Sequence, residues 1–177
     1  MIKKFSNFIK ENPVILIIII LGAVIMEYGF KEGTEDYRVI DGDTIVLNGE
    51  KVRLKGMDAP EMKQICWDNT NKKIECGKMA KEKLKMIIGS NKVRCDIKGK
   101  DLYKRNLGYC YAGDINVNKE MVRRGYAVAY IQYDKSFVQD ENVARKEKLG
   151  FWNGRFKNPQ DWRRENKKKR KSNKERR

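Results

Sequence analysis

A chain of 177 residues with 40% hydrophobic and 36% charged residues is one domain with extensions, too polar for a multi-span membrane protein and too apolar for full disorder. It contains no histidine, which excludes Ser-His-Asp hydrolysis, Cys-His proteolysis, HExxH zinc sites and any histidine base. Forty Lys and Arg against 24 Asp and Glu leave +16, of which residues 163–177 carry +8, so even without its tail the body favours a polyanionic partner, nucleic acid or an anionic membrane surface.

Residues 1–30 read as a signal peptide or transmembrane anchor in a helical, hydrophobic segment. Lys3, Lys4 and Lys10 precede thirteen unbroken apolar residues, 14–26. At about 1.5 Å per residue this run covers about 20 Å, short of a hydrocarbon core of roughly 30 Å. Residues 12–30, with Glu27 the sole charge, just span it. No clean small-residue cleavage site follows, which favours an anchor over a cleaved signal. Lysines before the segment, and Glu27, Glu32, Glu35 and Asp36 in or beyond it, put the following domain outside the cytoplasm, in the periplasm or at the cell surface. The membrane is then a partner through residues 14–30, or the protein is secreted if the segment is cut. Export makes Cys66, Cys76, Cys95 and Cys110 an even set for two disulfides. Three connectivities exist. The favoured one joins Cys66 to Cys76 around a polar loop and Cys95 to Cys110 across a hairpin.

Residues 31–36 form a linker to a domain over 37–155. Residues 37–40 and 44–47 read as strands around an Asp-Gly-Asp turn, and Asn48-Gly49 signals a hairpin into 51–55. In that strand Val52 and Leu54 share one face and Arg53 takes the other. Pro60 opens a loop running to Cys76. Residues 77–88 read as an amphipathic helix closed by Gly89, with Ala80, Leu84, Ile87 and Ile88 inward. A strand over 92–97, a charged loop over 98–105 and a returning strand over 106–111 follow. Asn118 is a plausible N-cap for a helix to Arg124, and 126–133 is an aromatic, β-prone stretch. Ser136 or Asp140 caps a last helix ending near Leu149-Gly150. Phe151 and Trp152 fold back on the body, and 156–177 is a basic, disordered tail. About five strands and three helices make an α+β domain, plausibly a small barrel.

Carboxylates gather near the first sheet: Asp41 and Asp43 in DGDT, Asp58 and Glu61 in DAPE. The distance along the chain from Asp43 to Asp58 allows one strand out and one back, so both can meet at one rim. Paired carboxylates with carbonyls and water suit a hard cation such as Ca²⁺. Arg53 and Arg105 match phosphate geometry, and without imidazole Glu61 is the natural candidate to position or deprotonate water. Taken singly, each residue has an ordinary role as turn former or surface ion pair.

Together, VIDGDTI at 39–45, VRLKGMDAPE at 52–61 and DLYKR at 101–105 resemble the thermonuclease (staphylococcal nuclease-like) family. The resemblance runs from about residue 36 to 152 and includes the CGK helix start and the stretch from Met121 to Ala127. It implies a five-stranded OB-fold barrel with three helices and Ca²⁺-dependent cleavage of DNA and RNA. By that resemblance Asp43 and Asp58 match the calcium carboxylates and Ala59 the residue whose carbonyl completes the protein ligands, with Asp41 just outside. Arg53 and Arg105 match the phosphate-binding arginines, Glu61 the general base, and Tyr103 a tyrosine near the substrate phosphate. Lys104 stands where the family often has glycine. Tyr130 and Tyr133 offer stacking faces for bases, or are half-buried barrel aromatics. The expected protein is a membrane-tethered nuclease of low sequence specificity, with no protein partner implied. The rival reading is a catalytically weak OB module that only binds nucleic acid.

Overall fold

The computed structural model describes residues 37–176; the expected N-terminal segment and linker fall in residues 1–36, outside the described residues. Among the described residues no helix is long and apolar enough to cross a membrane.

Strand β1 (Tyr37–Val39) pairs antiparallel with β2 (Thr44–Leu47), and β2 with β3 (Glu50–Leu54). The hairpin between β2 and β3 turns on Asn48 and Gly49 at φ 51° and 82°, the left-handed pair that a two-residue turn needs to match strand twist. Val52 and Leu54 are buried and Arg53 points to the opposite face, as the alternation requires. Short β4 (Met57–Asp58) follows; β5 (Cys66–Trp67) pairs with β6 (Lys73–Ile74) in the loop after Pro60.

Helix α1 (Cys76–Ile88) buries Ala80, Leu84, Ile87 and Ile88 and ends at Gly89, at φ 59°. β7 (Val93–Lys100) runs three residues further than expected, past an irregularity between Ile97 and Gly99, and pairs antiparallel with β8 (Asn106–Ala112). β8 also pairs parallel with β3, giving a mixed sheet in the order β1-β2-β3-β8-β7, with β9 (Ile115–Asn116) attached to β8. β10 (Val128–Ala129) pairs with β4 apart from this sheet, so the expected aromatic strand over 126–133 shrinks to two residues and Tyr130 to Tyr133 turn away.

Helix α2 (Val117–Arg123) starts one residue earlier than expected. Asn116 caps it by accepting from the Lys119 amide, whereas Asn118 is fully buried and works between elements. Its amide donates to Lys55 and Gly108 carbonyls and its oxygen accepts from Cys110 N–H. That cross-link outranks capping because the carbonyls and N–H it serves are buried and need partners. Helix α3 (Val138–Lys146) has Phe137 at its N-cap without a side-chain bond; the Ser136 hydroxyl is engaged by Asp134, and Asp140 lies inside the first turn. A 3₁₀ turn (Gly150–Asn153) buries Phe151.

The tail expected to be disordered is helix α4 (Pro159–Glu175). Asn158 caps it, accepting from Gln160 N–H, Pro159 takes the first helical position, and Asp161 faces the helix N-terminus. Lys, Arg, Gln and Glu are also good helix formers, so composition that reads as low-complexity is compatible with a helix. Among the described residues there are thus four helices rather than three. The architecture is α+β, an OB-like mixed sheet with its core against α1 and α2. Both favoured disulfides are present, Cys66–Cys76 and Cys95–Cys110, the latter between directly paired residues of β7 and β8.

Candidate active site

The DGDT turn and the end of β3 meet because Leu54 N–H donates to Asp43 O, which closes the hairpin at its open end. Asp41 accepts from Asp43 N–H, holding the turn. A Cβ on Gly42 would stand 2.7 Å from that of Ala59 and 2.8 Å from that of Ala80, so glycine lets the turn, the DAPE loop and α1 touch. Gly77 does the same beside Glu61: a Cβ there would come within 1.9 Å of the Glu61 carbonyl oxygen. The buried Gln64 side chain accepts from Glu61 N–H and donates to Lys157 O, tying the loop to the entry of α4.

Into this frame Asp43 and Asp58 project buried carboxylates, 5% and 0% exposed as residues. Arg53 bridges them, Nη1 to Asp43 Oδ1 at 2.6 Å and Nη2 to Asp58 Oδ1 at 2.8 Å. Asp43 also accepts from the Thr44 hydroxyl and the Ala59 N–H. Burial pushes the Asp43 carboxyl above its ordinary range, against the pull of Arg53 and with the help of Asp41. The Arg53 guanidinium is desolvated, yet Asp43 and Asp58 more than offset this and hold it above its usual value.

Glu61 reaches the same cluster through a residue the sequence reading missed. Arg163, from the first turns of α4, donates Nη1 to Glu61 Oε1 at 2.8 Å and to Asp58 Oδ1 at 3.0 Å, and Nη2 to Asp58 Oδ2 at 2.8 Å. Burial disfavours its charge, but the bonds from Asp58 and Glu61 raise its pKa. Asn158-Pro159 followed by Asp161 is a helix-start signal that points to an ordered segment there; nothing local to Arg163 marks its partner.

Arg105 does not join them. Its Nε and Nη2 both bind Asp101 Oδ2 at 2.7 Å, and the other oxygen of that carboxylate accepts from the Tyr103 and Arg105 amides. Asp101 thereby closes its own five-residue loop and is the nearest anion to Arg105. Tyr103 stands 82% exposed beside it. Burial, then the charge of Asp58, raises the phenol pKa of Tyr130. Its ring lies 4.8 Å from that of Tyr133, which is 74% exposed, so the pair is a partly open aromatic face rather than barrel core.

Among the described residues no group of three or more His, Cys, Asp or Glu side chains gathers as a metal cage. At this rim Asp43 and Asp58 offer two buried carboxylates. Their hard oxygen donors are of the type a hard cation takes when it completes its shell from carbonyls and water, as Ca²⁺ does.

The family model described as staphylococcal nuclease homologue matches residues 51–154. A succinoglycan biosynthesis protein, ExoI, of Rhizobium meliloti is 34% identical over 64% of this chain and 61% of its own length. An uncharacterized endonuclease of Haemophilus influenzae is 34% identical over 73% of this chain and 72% of its own. A thermonuclease of Staphylococcus intermedius is 29% identical over 85% of this chain and 98% of its own. The matched segment is more than half of the chain and carries Arg53, Asp58, Glu61 and Arg105, and with it the chain belongs to the staphylococcal nuclease homologue family.

Proposed function

We propose that this chain is an exported, Ca²⁺-dependent nuclease that hydrolyses phosphodiester bonds of DNA and RNA with little sequence preference. The observation that carries the reading is the convergence of Asp43, Asp58 and Arg53 at one rim, with Glu61 one guanidinium away. Asp43, Asp58 and the Ala59 carbonyl would hold the cation, which supplies charge neutralisation at the attacked phosphate. Glu61 takes the proton of the attacking water or orients it; with no histidine in the chain, a carboxylate is the natural acid–base group here. Arg53 exchanges its carboxylate partners for phosphate oxygens, to which it donates in pairs. Arg105 and Tyr103 bind a phosphate from the exposed loop once Arg105 leaves Asp101. Tyr130 and Tyr133 receive a base by stacking, which reads no sequence. The thermonuclease and endonuclease names of the relatives agree with this chemistry.

The test is cleavage of plasmid and single-stranded DNA with Ca²⁺ or chelator. Glu61→Gln and Arg105→Ala should each lower the rate by about 10²-fold or more, with binding of the DNA retained. Both variants cutting like the parent sinks these roles. The pairing of Arg105 with Asp101 favours the second reading, a binding module; it predicts DNA binding by the parent with no Ca²⁺-dependent cleavage. The same proposal includes a membrane tether through residues 14–30, and the mass of the mature N-terminus checks it.

A further inference from the structure

Arg163 lies beyond residue 154, where the family match ends, yet it binds both oxygens of the candidate cation ligand Asp58 and one of Glu61. Asp58 Oδ1 already accepts from both Arg53 and Arg163, and Oδ2 accepts from Arg163. Glu61 Oε1 accepts from the same guanidinium. A carboxylate in that state has few lone pairs left for a cation. A divalent ion a few ångströms from two guanidiniums also meets like charge on the protein side, in a site where Asp58 is wholly shielded from water.

The seat of Arg163 is built, not incidental. Asn158 caps α4, Gln64 holds the Lys157 carbonyl at 2.7 Å, and Gln160 donates to Gln132 at 2.8 Å. These bonds dock the first turns of α4 between the Glu61 loop and the Tyr130–Tyr133 turn. Residues Lys167 to Lys174 of the helix are exposed. The docked end is held by these bonds together with the Arg163 ion pairs to Asp58 and Glu61.

We propose that Arg163 is an intramolecular latch: it occupies the cation's place on Asp58 and ties up Glu61 beside it, and cation binding and α4 docking oppose one another. This rests on the reading that Asp43 and Asp58 hold the cation. In the latched form Glu61 is bound to a guanidinium and is not available to water. Thermodynamic reciprocity makes the idea quantitative, because the factor by which docking weakens the cation is the factor by which the cation weakens docking.

The experiment uses the full chain and Arg163→Gln, with Arg163→Lys as a second variant that keeps the charge but loses the two-pronged contact. Thermal melts establish that each is folded. Calorimetric titration with CaCl₂ gives affinity, and hydrogen exchange of the 160–166 amides gives docking. In the parent, Ca²⁺ should speed that exchange by about tenfold, within the usual range of coupling between sites. Arg163→Gln should exchange fast without Ca²⁺ and bind Ca²⁺ tighter by a similar factor, with Arg163→Lys between. Ca²⁺ binding that leaves the parent's exchange unchanged, or equal affinity in all three proteins, overturns the latch and leaves the cation site standing. No Ca²⁺ binding by any folded variant removes the cation reading itself, and the latch with it.

Discussion

Asp134 shows how much one side chain outside the site contributes. It accepts from the Tyr109 hydroxyl, from the Ser136 amide and hydroxyl, and pairs with Lys55 at 3.4 Å. Burial opposes its charge, but these donors prevail and hold the carboxyl down at about 2. A carboxyl that is more acidic folded than unfolded stabilises the fold above its unfolded pKa of about 4 and loses that contribution as pH falls toward 2. Asp134→Asn should therefore cost up to about 2 kcal/mol at pH 7, and the gap from the parent should close between pH 4 and pH 2 in urea melts. At this scale the sequence is most informative where chemistry is local. Asp43, Asp58 and Arg53 are legible because a hairpin of known length returns them to one rim. Arg105 is harder, since Asp101, four residues earlier, competes for its charge and no spacing rule ranks that pair against a distant cleft. Lys104, in the family's frequent glycine position, takes φ 61°, so the loop keeps the left-handed step that glycine makes easily. Arg163 is invisible from sequence because its partners lie about a hundred residues away.

At the scale of elements, α1 is the platform on which the site is assembled. Its first turn presents Gly77 to the Glu61 backbone, and one turn on Ala80 supports Gly42 of the DGDT turn. Gly77→Ala should push the Glu61–Met62 backbone outward, at about 1–3 kcal/mol for overpacking a tight contact. The expected result is a lower melting temperature together with a cleavage loss larger than instability explains, measured well below the melting point. Full activity in a destabilised protein would mean that Glu61 is positioned from elsewhere. The strands, α1 and the β2–β3 turn are readable because period and turn chemistry agree there. The start of α2 and the cap of α3 are not: Asn118 has tertiary partners and Ser136 bonds Asp134 two residues earlier, and each outcompetes the helix end nearest it. The charged tail misleads for a different reason. Like charge suggests extension, whereas a cap, a proline and one docked turn suffice to start a helix.

Across the whole molecule, charge is arranged as a small acidic cluster within a basic body, continued by a helix rich in Lys and Arg. Five consecutive cations, Lys167 to Lys171 with Arg170 among them, lie on exposed α4 beyond the docked turns. Each that meets a phosphate releases counterions, so changing all five to Gln should flatten the dependence of log affinity on log salt by up to about 4. Anisotropy with a Glu61→Gln background, which binds without cutting, measures the slope; an unchanged slope makes this stretch a bystander. The disulfides add a constraint on timing. Cys76 starts the platform helix next to Gly77, and its bond to Cys66 closes the loop that begins just after Glu61. While both thiols are still reduced, that loop lacks its covalent tie, so under the proposed export a newly made copy in the reducing cell interior would not yet have its site loop closed. On that reading, oxidation after departure would complete the loop only where the producer's own nucleic acid is out of reach.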